Sequence, residues 1–200
     1  MTRDSYKRPF DLFILTVTHI FLFPILFILW AIIPLAIWIE DKGPVFYTQK
    51  RVGKHGKVFT LYKFRSMVVD AENVTGAVWA DKNDPRITKV GKFLRNRALD
   101  ELPQTINLWL SDLSLVGPRP ERPELMHQII KQLPEYSERL SLKPGLTGVA
   151  QVFGRYSSEP IVKLRYDRIY GNNMGVMFDT KLLLLSLIYT LKAKWQYSQR

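Results

Sequence analysis

Two adjacent carboxylates, Asp100 and Glu101, follow the basic run Arg95-Asn96-Arg97 and open a stretch that ends near Leu110. Such a pair can supply a nucleophile, a general acid or base, or ligands for a hard divalent cation. Leu102, Ile106 and Trp109 recur at helical spacing, which predicts a helix over residues 101–110. Pro103 fits its first turn, where backbone amides have no helical partner. Asp100 then falls at N-cap or N1, where the helix dipole favours negative charge and helps keep the carboxylate ionised. Ordinary capping explains an Asp and a Glu at a helix start equally well. The pair gains meaning only from its surroundings.

Those surroundings are cationic. Arg119 is held between two prolines in Gly117-Pro118-Arg119-Pro120, a rigid turn suited to a guanidinium that grips phosphate oxygens in pairs. Gly117 permits close backbone approach there. Arg155 also stands beside a glycine, in Gly154-Arg155-Tyr156. Lys63 and Arg65 end an expected strand, from which they project towards a phosphate or towards solvent. For any one of these cations, a solvated side chain is the plainer alternative.

The elements that must hold these residues follow from local pattern. Residues 45–52 and 57–65 are rich in β-branched and aromatic side chains and flank Gly53-Lys54-His55-Gly56, which predicts a β-hairpin. Short helices are expected at 67–74 and 90–95, with a polar loop at 81–84 between them. Pro123 opens a helix over 124–132. Lys143-Pro144-Gly145-Leu146-Thr147-Gly148 reads as a turn and 149–153 as a short strand. Residues 159–170 read as a basic amphipathic helix that packs through Ile161, Leu164 and Ile169. The apolar part of 180–195 is too short to cross a bilayer. Lys192, Lys194, Trp195 and Tyr197 near its end suit a headgroup interface, and a helix packed in the core fits equally.

Residues 12–39 carry no charge, and as a helix they are more than long enough for a ~30 Å hydrocarbon core. They are too long for a cleaved signal peptide, and no small-residue cleavage site follows. Arg3, Lys7 and Arg8 precede the segment; Lys42, Lys50, Arg51, Lys54 and Lys57 follow it. Positive flanks favour the cytoplasmic face, so both ends ask for the same side. Pro24 lies near the middle, where it removes a helical hydrogen bond and predicts a kink. Thr16, Thr18 and His19 are placed to serve the freed backbone groups, and Pro34 is placed to end a helix. A helix that enters, bends and returns satisfies these signals; a spanning helix stays open.

Composition narrows the class. The 200-residue chain has 29 Lys and Arg against 18 Asp and Glu, a formal charge of +11. Nucleic acid, an anionic membrane surface or a phosphorylated small substrate would each suit it. There is no cysteine, which excludes disulfides and thiolate metal sites. His19, His55 and His127 lack zinc-ligand spacing. No nucleophile elbow, phosphate-binding P-loop or G-x-G-x-x-G fingerprint occurs, so a nucleotide would be held another way.

In chain order, the informative motifs are Lys7-Arg8-x-x-Asp11, Pro24, Tyr62-Lys63-Phe64-Arg65-Ser66-Met67, Asp84-Pro85-Arg86-Ile87-Thr88 and Arg95. Then come Leu99-Asp100-Glu101-Leu102-Pro103-Gln104, Gly117-Pro118-Arg119-Pro120, Lys143-Pro144-Gly145-Leu146-Thr147-Gly148 and Gln151-Val152-x-Gly154-Arg155. The series resembles the bacterial sugar transferases, or monotopic phosphoglycosyl transferases, from about Lys7 to Leu191. The chain is similar to their minimal catalytic form, without the extra N-terminal membrane helices of larger relatives. The resemblance implies an α+β fold, with a re-entrant membrane helix broken at Pro24 in residues 1–41. Residues 42–200 would be a small, mainly helical catalytic domain with a β-hairpin and interfacial amphipathic helices, on the cytoplasmic face of the bacterial inner membrane. Relatives often carry Ser before that proline; Phe23 here offers one hydroxyl fewer to the freed carbonyls.

The implied reaction moves a sugar 1-phosphate from a UDP-sugar to undecaprenyl (polyprenyl) phosphate and releases UMP. By resemblance Asp100 is the nucleophile, forming a covalent aspartyl phosphosugar, and Glu101 acts beside it as a ligand or on the lipid phosphate's proton. The family uses Mg²⁺, for which Asp100 is the ligand candidate. Arg95, Arg119, Arg155 and then Lys63 become phosphate clamps. Two other readings compete: a glycosyltransferase that moves the sugar alone and releases UDP, and a basic membrane-anchored scaffold. The resemblance implies no nucleic-acid partner, and a homodimer is compatible with it although no residue specifies one. The sugar and the glycan pathway are not encoded in any of these motifs.

Overall fold

A computed structural model describes residues 4–71, 84–154 and 159–192. Helix α1 (Lys7–Glu40) is the one element among them long and apolar enough to cross a membrane. Its 34 residues would measure about 51 Å at 1.5 Å per residue. The helix runs through both prolines, so Pro34 does not end it; the end comes at Asp41, whose N–H reaches the Ile37 carbonyl. His19 Nδ1 lies 2.8 Å from the Leu15 oxygen. It does not serve the Ile20 carbonyl, the one whose helical donor Pro24 removes.

Only the two ends of α1 are packed. Lys7, Asp11 and Leu15 are buried at one end and Ile33 and Ile37 at the other, while Phe21, Phe23 and Phe27 between them are exposed. The Lys7-Arg8-x-x-Asp11 motif makes the first attachment. The Lys7 ammonium donates to Asp179 Oδ2 and to the Val116 oxygen, each at 2.7 Å, and to the Tyr170 hydroxyl. Arg8 donates to the Leu108 and Trp109 carbonyls at 2.7 and 2.8 Å, satisfying groups at the end of a short helix. Asp11 Oδ1 accepts from Ser114 Oγ and the Leu115 amide, both at 3.0 Å. At the far end, the Glu40 carboxylate accepts from the Lys89 and Val90 amides at 2.7 and 2.8 Å.

The expected hairpin is present. Strands β1 (Phe46–Val52) and β2 (Val58–Phe64) pair antiparallel, from Val52 opposite Val58 to Phe46 opposite Phe64. The turn between them is a 3₁₀ segment, Lys54–Gly56. At the open end, the rings of Trp30, Phe46 and Phe64 meet with centroids 5.3–6.1 Å apart, joining the second half of α1 to the hairpin. Arg65 turns towards the end of α1, where it bonds the Asp41 carbonyl and lies 3.6 Å from Asp41 Oδ2. It does not face the carboxylate pair.

The elements after the hairpin depart from the expected ones in three places. Met67 forms an isolated bridge with Ile87, so the described part of 67–74 contains no helix. Residues 72–74 and 81–83 lie outside the described residues. Helix α2 (Lys89–Asn96) matches expectation, whereas α3 (Gln104–Trp109) begins three residues later than the predicted helix. Strand β3 (Ser114–Val116) pairs in parallel with β4 (Gly145–Thr147), inside what reads as a turn. That pairing needs backbones in contact: a Cβ at Gly145 would stand 2.0 Å from the Gly117 nitrogen.

Helix α4 spans Pro123–Gln132, and a 3₁₀ stretch follows at Pro134–Ser141. Residues Val149–Phe153 form helix α5, not a strand. Val149 and Val152 are both buried, one helical turn apart, and tertiary packing overrides their strand propensity. Helix α6 (Pro160–Asn173) buries Leu164, Asp167 and Tyr170, whereas Ile169 is exposed, contrary to expectation. The last apolar stretch forms helix α7 (Val176–Leu191), one face of which packs in the core as one of its two readings expected. Asp179, Leu182 and Ser186 pack inward, and Leu184, Leu187 and Leu191 are exposed. Lys194, Trp195 and Tyr197 lie outside the described residues.

One buried amide ties the hairpin to α3. Asn107, fully buried, donates to the Thr60 oxygen at 2.7 Å and accepts from the Tyr62 amide at 3.1 Å. An Asn107→Ala substitution strands both backbone groups and is expected to cost about 1–3 kcal/mol. Thermal unfolding in detergent checks this.

Candidate active site at the carboxylate pair

Helix α2 is capped by Thr88, whose Oγ1 accepts from the Gly91 amide at 2.9 Å. Beyond its end the chain passes through Ala98 at φ 53°, ψ 23°. This left-handed backbone costs a residue with a Cβ roughly 1–2 kcal/mol. It redirects the chain into a 3₁₀ turn, Leu99–Glu101, which carries both carboxylates. With α3 starting at Gln104, Asp100 is not at the cap of an α-helix.

The carboxylates are held differently. Asp100 is only 7% exposed, and burial pushes its pKa above the usual carboxylate value. The Lys63 charge opposes that rise, the Glu101 charge adds to it, and Arg95 and Arg119 oppose it more weakly. Desolvation therefore decides, contrary to the expectation that a helix dipole keeps Asp100 ionised. Glu101 feels burial too, but Arg119 and Lys63 overcome it and hold this carboxyl well below the usual range. Its Oε1 accepts from Lys63 Nζ at 2.6 Å and from Arg119 Nη2 at 2.8 Å. Lys63 Nζ also stands 3.7 Å from Asp100 Oδ2. The pair is thus split into an anion that anchors two cations and a carboxyl whose ionised form is less favoured.

Of the residues singled out in the sequence, Lys63, Asp100, Glu101 and Arg119 meet at one point. Arg95, in the last turn of α2, contributes its charge to Asp100. Arg155 lies outside the described residues. Sequence reasoning missed the residues that hold Arg119. Arg139 Nη2 donates to the Arg119 carbonyl and Arg51 Nη1 to the Pro120 carbonyl, both at 2.8 Å. Arg139 is itself buried against Asp167, with Nε 2.9 Å from Oδ2, and lies 3.6 Å from Glu121 Oε1. Glu121 also receives Lys163 at 3.0 Å and the Tyr136 hydroxyl at 3.2 Å. Arg139 lies 20 positions from Arg119, and no local pattern links them.

Asp100 and Glu101 are the residues here that could contribute ligands to a magnesium ion. Among the described residues no cluster of three or more His, Asp or Glu could hold a metal. Mg²⁺, however, commonly takes one or two carboxylates and completes its shell with water and substrate phosphates. Asp100 could supply one carboxylate and Glu101, with one oxygen committed to Lys63 and Arg119, a second.

The family model for bacterial sugar transferases matches residues 2–193. The chain belongs to the bacterial sugar transferase family. A Bacillus subtilis protein, provisionally named undecaprenyl-phosphate N-acetylgalactosaminyl 1-phosphate transferase, is 50% identical over 110 residues, 55% of this chain and 61% of that protein. The UDP-glucose:undecaprenyl-phosphate glucose-1-phosphate transferase of Klebsiella pneumoniae is 38% identical over 91% of this chain and 39% of its own length. The exopolysaccharide production protein PSS of Rhizobium leguminosarum is 36% identical, and there the match covers 92% of this chain and 94% of that protein. This sugar transferase thus spans less than two thirds of the first two relatives and nearly all of the third.

Proposed function

We propose that this sugar transferase moves a sugar 1-phosphate from a UDP-sugar to a polyprenyl phosphate such as undecaprenyl phosphate, through a covalent intermediate on Asp100. The convergence of Lys63 and Arg119 on the Asp100–Glu101 pair carries this reading. An oxygen of ionised Asp100 attacks the β-phosphorus of the UDP-sugar. The bond from that phosphorus to the bridging oxygen breaks, and UMP leaves with the oxygen. An oxygen of the lipid phosphate then attacks the same phosphorus, the bond to Asp100 breaks, and a polyprenyl diphosphate-linked sugar departs. Phosphoryl transfer of this kind rests on positioning and charge neutralisation, for which Lys63, Arg95 and Arg119 are the candidate cations among the described residues. Glu101 keeps two of them in place. A bound Mg²⁺, held by Asp100 with Glu101, would offset the negative charge of the diphosphate.

The membrane side of the proposal rests on α1. Both its ends attach to the same body while its exposed phenylalanines lie between, which supports a helix that dips into the bilayer and returns to the cytoplasmic face. His19 meets Trp109 of α3, their rings 5.8 Å apart, and the exposed Trp109 and Leu110 continue the apolar surface beyond α1. A lipid phosphate at headgroup depth and a nucleotide sugar from the cytosol would meet there. The relatives differ in the sugar they are named for, so the donor class is a UDP-hexose or a UDP-N-acetylhexosamine.

The test follows the nucleotide released by the full chain in detergent, given undecaprenyl phosphate, Mg²⁺ and UDP-glucose, UDP-galactose or UDP-N-acetylgalactosamine in turn. Repeated turnover to UMP, many molecules per chain, that needs the lipid supports the proposal. UDP release would replace it with transfer of the sugar alone.

Lys63 supplies a pH test. Its positive charge lowers the Asp100 pKa, so Lys63→Gln lets that value rise. The acidic limb of kcat/KM, which reports the free enzyme's nucleophile, is expected to move to higher pH. A pH–rate profile for both proteins checks the direction.

A further inference from the structure

A second group of cations lies away from the carboxylate pair. A cleft of about 420 Å³ is lined by five basic residues, Lys7, Arg8, Lys54, Lys57 and Lys143, against two acidic ones, Asp4 and Asp112. Phe59 of β2 also lines it. Lys63, which reaches Glu101, stands four residues further along the same strand, about 14 Å at 3.4 Å per residue. None of Lys63, Asp100, Glu101 and Arg119 lines the cleft.

The charges in this cleft are not balanced from within. Lys7 is neutralised by Asp179 and Lys54 by Asp4. Arg8 spends its hydrogen bonds on two neutral carbonyls, and Lys143 spends one on the Ser111 hydroxyl. Lys57 has no side-chain partner among the described residues. Asp112 is turned to the Asn107 amide at 3.3 Å. Burial pushes the Lys143 ammonium below its usual pKa; nearby Asp11 opposes this, while Arg8, Lys7 and Lys54 add their repulsion. Like charges crowded in a partly desolvated cleft are stabilised by an anion that several of them share. The rim includes Leu110, 63% exposed, and Arg8 at the start of α1, so the cleft opens beside the apolar surface.

We propose that this cleft is a second phosphate-binding site, in which Lys57 and Lys143 grip a phosphate monoester or diester beside Arg8. The ligand's source is either a lipid headgroup entering past Leu110 or free phosphate. The site is separate from Asp100 and does not depend on the reaction performed there.

The full chain in an uncharged detergent tests this. Its lysines are converted to ¹³C-dimethyl-lysine, which keeps the charge, and the Lys143 signal is assigned by its loss in Lys143→Arg. Inorganic phosphate and dihexanoyl-phosphatidylglycerol are titrated separately. The expected result is a saturable shift of the Lys143 signal with either probe, unchanged in Asp100→Asn and at least about tenfold weaker in affinity in Lys57→Gln. Tighter binding of the short-chain lipid identifies the headgroup as the source, and tighter binding of inorganic phosphate identifies the free ion. No saturable shift with either probe in the unsubstituted chain overturns the proposal, as does a shift that disappears in Asp100→Asn.

Discussion

Asp100→Asn is expected to lower UMP release by at least about 10³-fold, the scale of loss when a covalent nucleophile is removed, while leaving the protein as stable as before or more so. The two halves of this expectation share one cause. Asp100 is buried, and its folded pKa lies above the ordinary value because desolvation outweighs Lys63, Arg95 and Arg119. A carboxyl raised in this way contributes stability that is fully present below its unfolded pKa and is lost as pH rises through the folded one. Above its folded pKa the ionised, buried side chain is a stability deficit, which the isosteric amide removes. Glu101 still has Lys63 at 2.6 Å and Arg119 at 2.8 Å, so the two cations stay in place. Steady-state nucleotide release and thermal unfolding on the same sample check both halves. Equal activity would sink Asp100 as the nucleophile, and a large drop in thermal midpoint would assign it a structural role.

Arg139→Met is expected to give the largest loss of stability, about 3–5 kcal/mol, the usual consequence of removing one partner from a buried ion pair. At 2–4 °C per kcal/mol this lowers the thermal midpoint by roughly 6–20 °C. Arg139 is 5% exposed and lies between Glu121 and Asp167, both buried, so truncation leaves two buried carboxylates facing one another with less positive charge to offset them, Lys163 and Arg51 remaining near Glu121. Burial already pushes Asp167 up to about 6, against the pull of Arg139. Its contribution to stability is present below its unfolded pKa and is lost as pH rises through about 6. Glu121 is shifted the other way: burial raises it, but Lys163 and Arg139 hold it low, so its contribution is lost as pH falls. Without Arg139 both carboxyls rise. The deficit of the variant should therefore be smaller at pH 5 than at pH 8, read from unfolding at the two values. Activity should fall as well, because the Arg119 carbonyl loses the donor that fixes its loop.

What the sequence disclosed and what it hid follow the range of the interactions involved. The hairpin was legible because strand propensity and turn residues lie side by side in residues 45–65. Helices α2, α4 and α6 were legible from short-range periodicity and from Pro123. Residues 149–153 misled because two valines suit a strand, and only their burial one turn apart selects the helix. The parallel pairing of β3 with β4 joins residues about thirty positions apart and left no local mark beyond glycines at the point of contact. For the candidate site, the carboxylate pair, Lys63 and Arg119 stood out by type and motif. Their assembly depends on Ala98 turning left-handed and on Arg139, Arg51 and Glu121 bracing the Arg119 loop, none of which has a sequence signature. Gln104 is buried with no partner for its Nε2 among the described residues, and nothing in the structure explains that choice of side chain.

The most direct measurement omits the acceptor. The full chain in detergent is mixed with Mg²⁺ and the UDP-sugar that supports turnover, without polyprenyl phosphate, and then quenched. UMP is quantified, and the peptide containing Asp100 is weighed by mass spectrometry. Covalent transfer through Asp100 predicts a burst of UMP approaching one per chain and a peptide heavier by one phosphosugar, with both absent in Asp100→Asn. UMP that forms only when the lipid is present, with the peptide never modified, would contradict the covalent route.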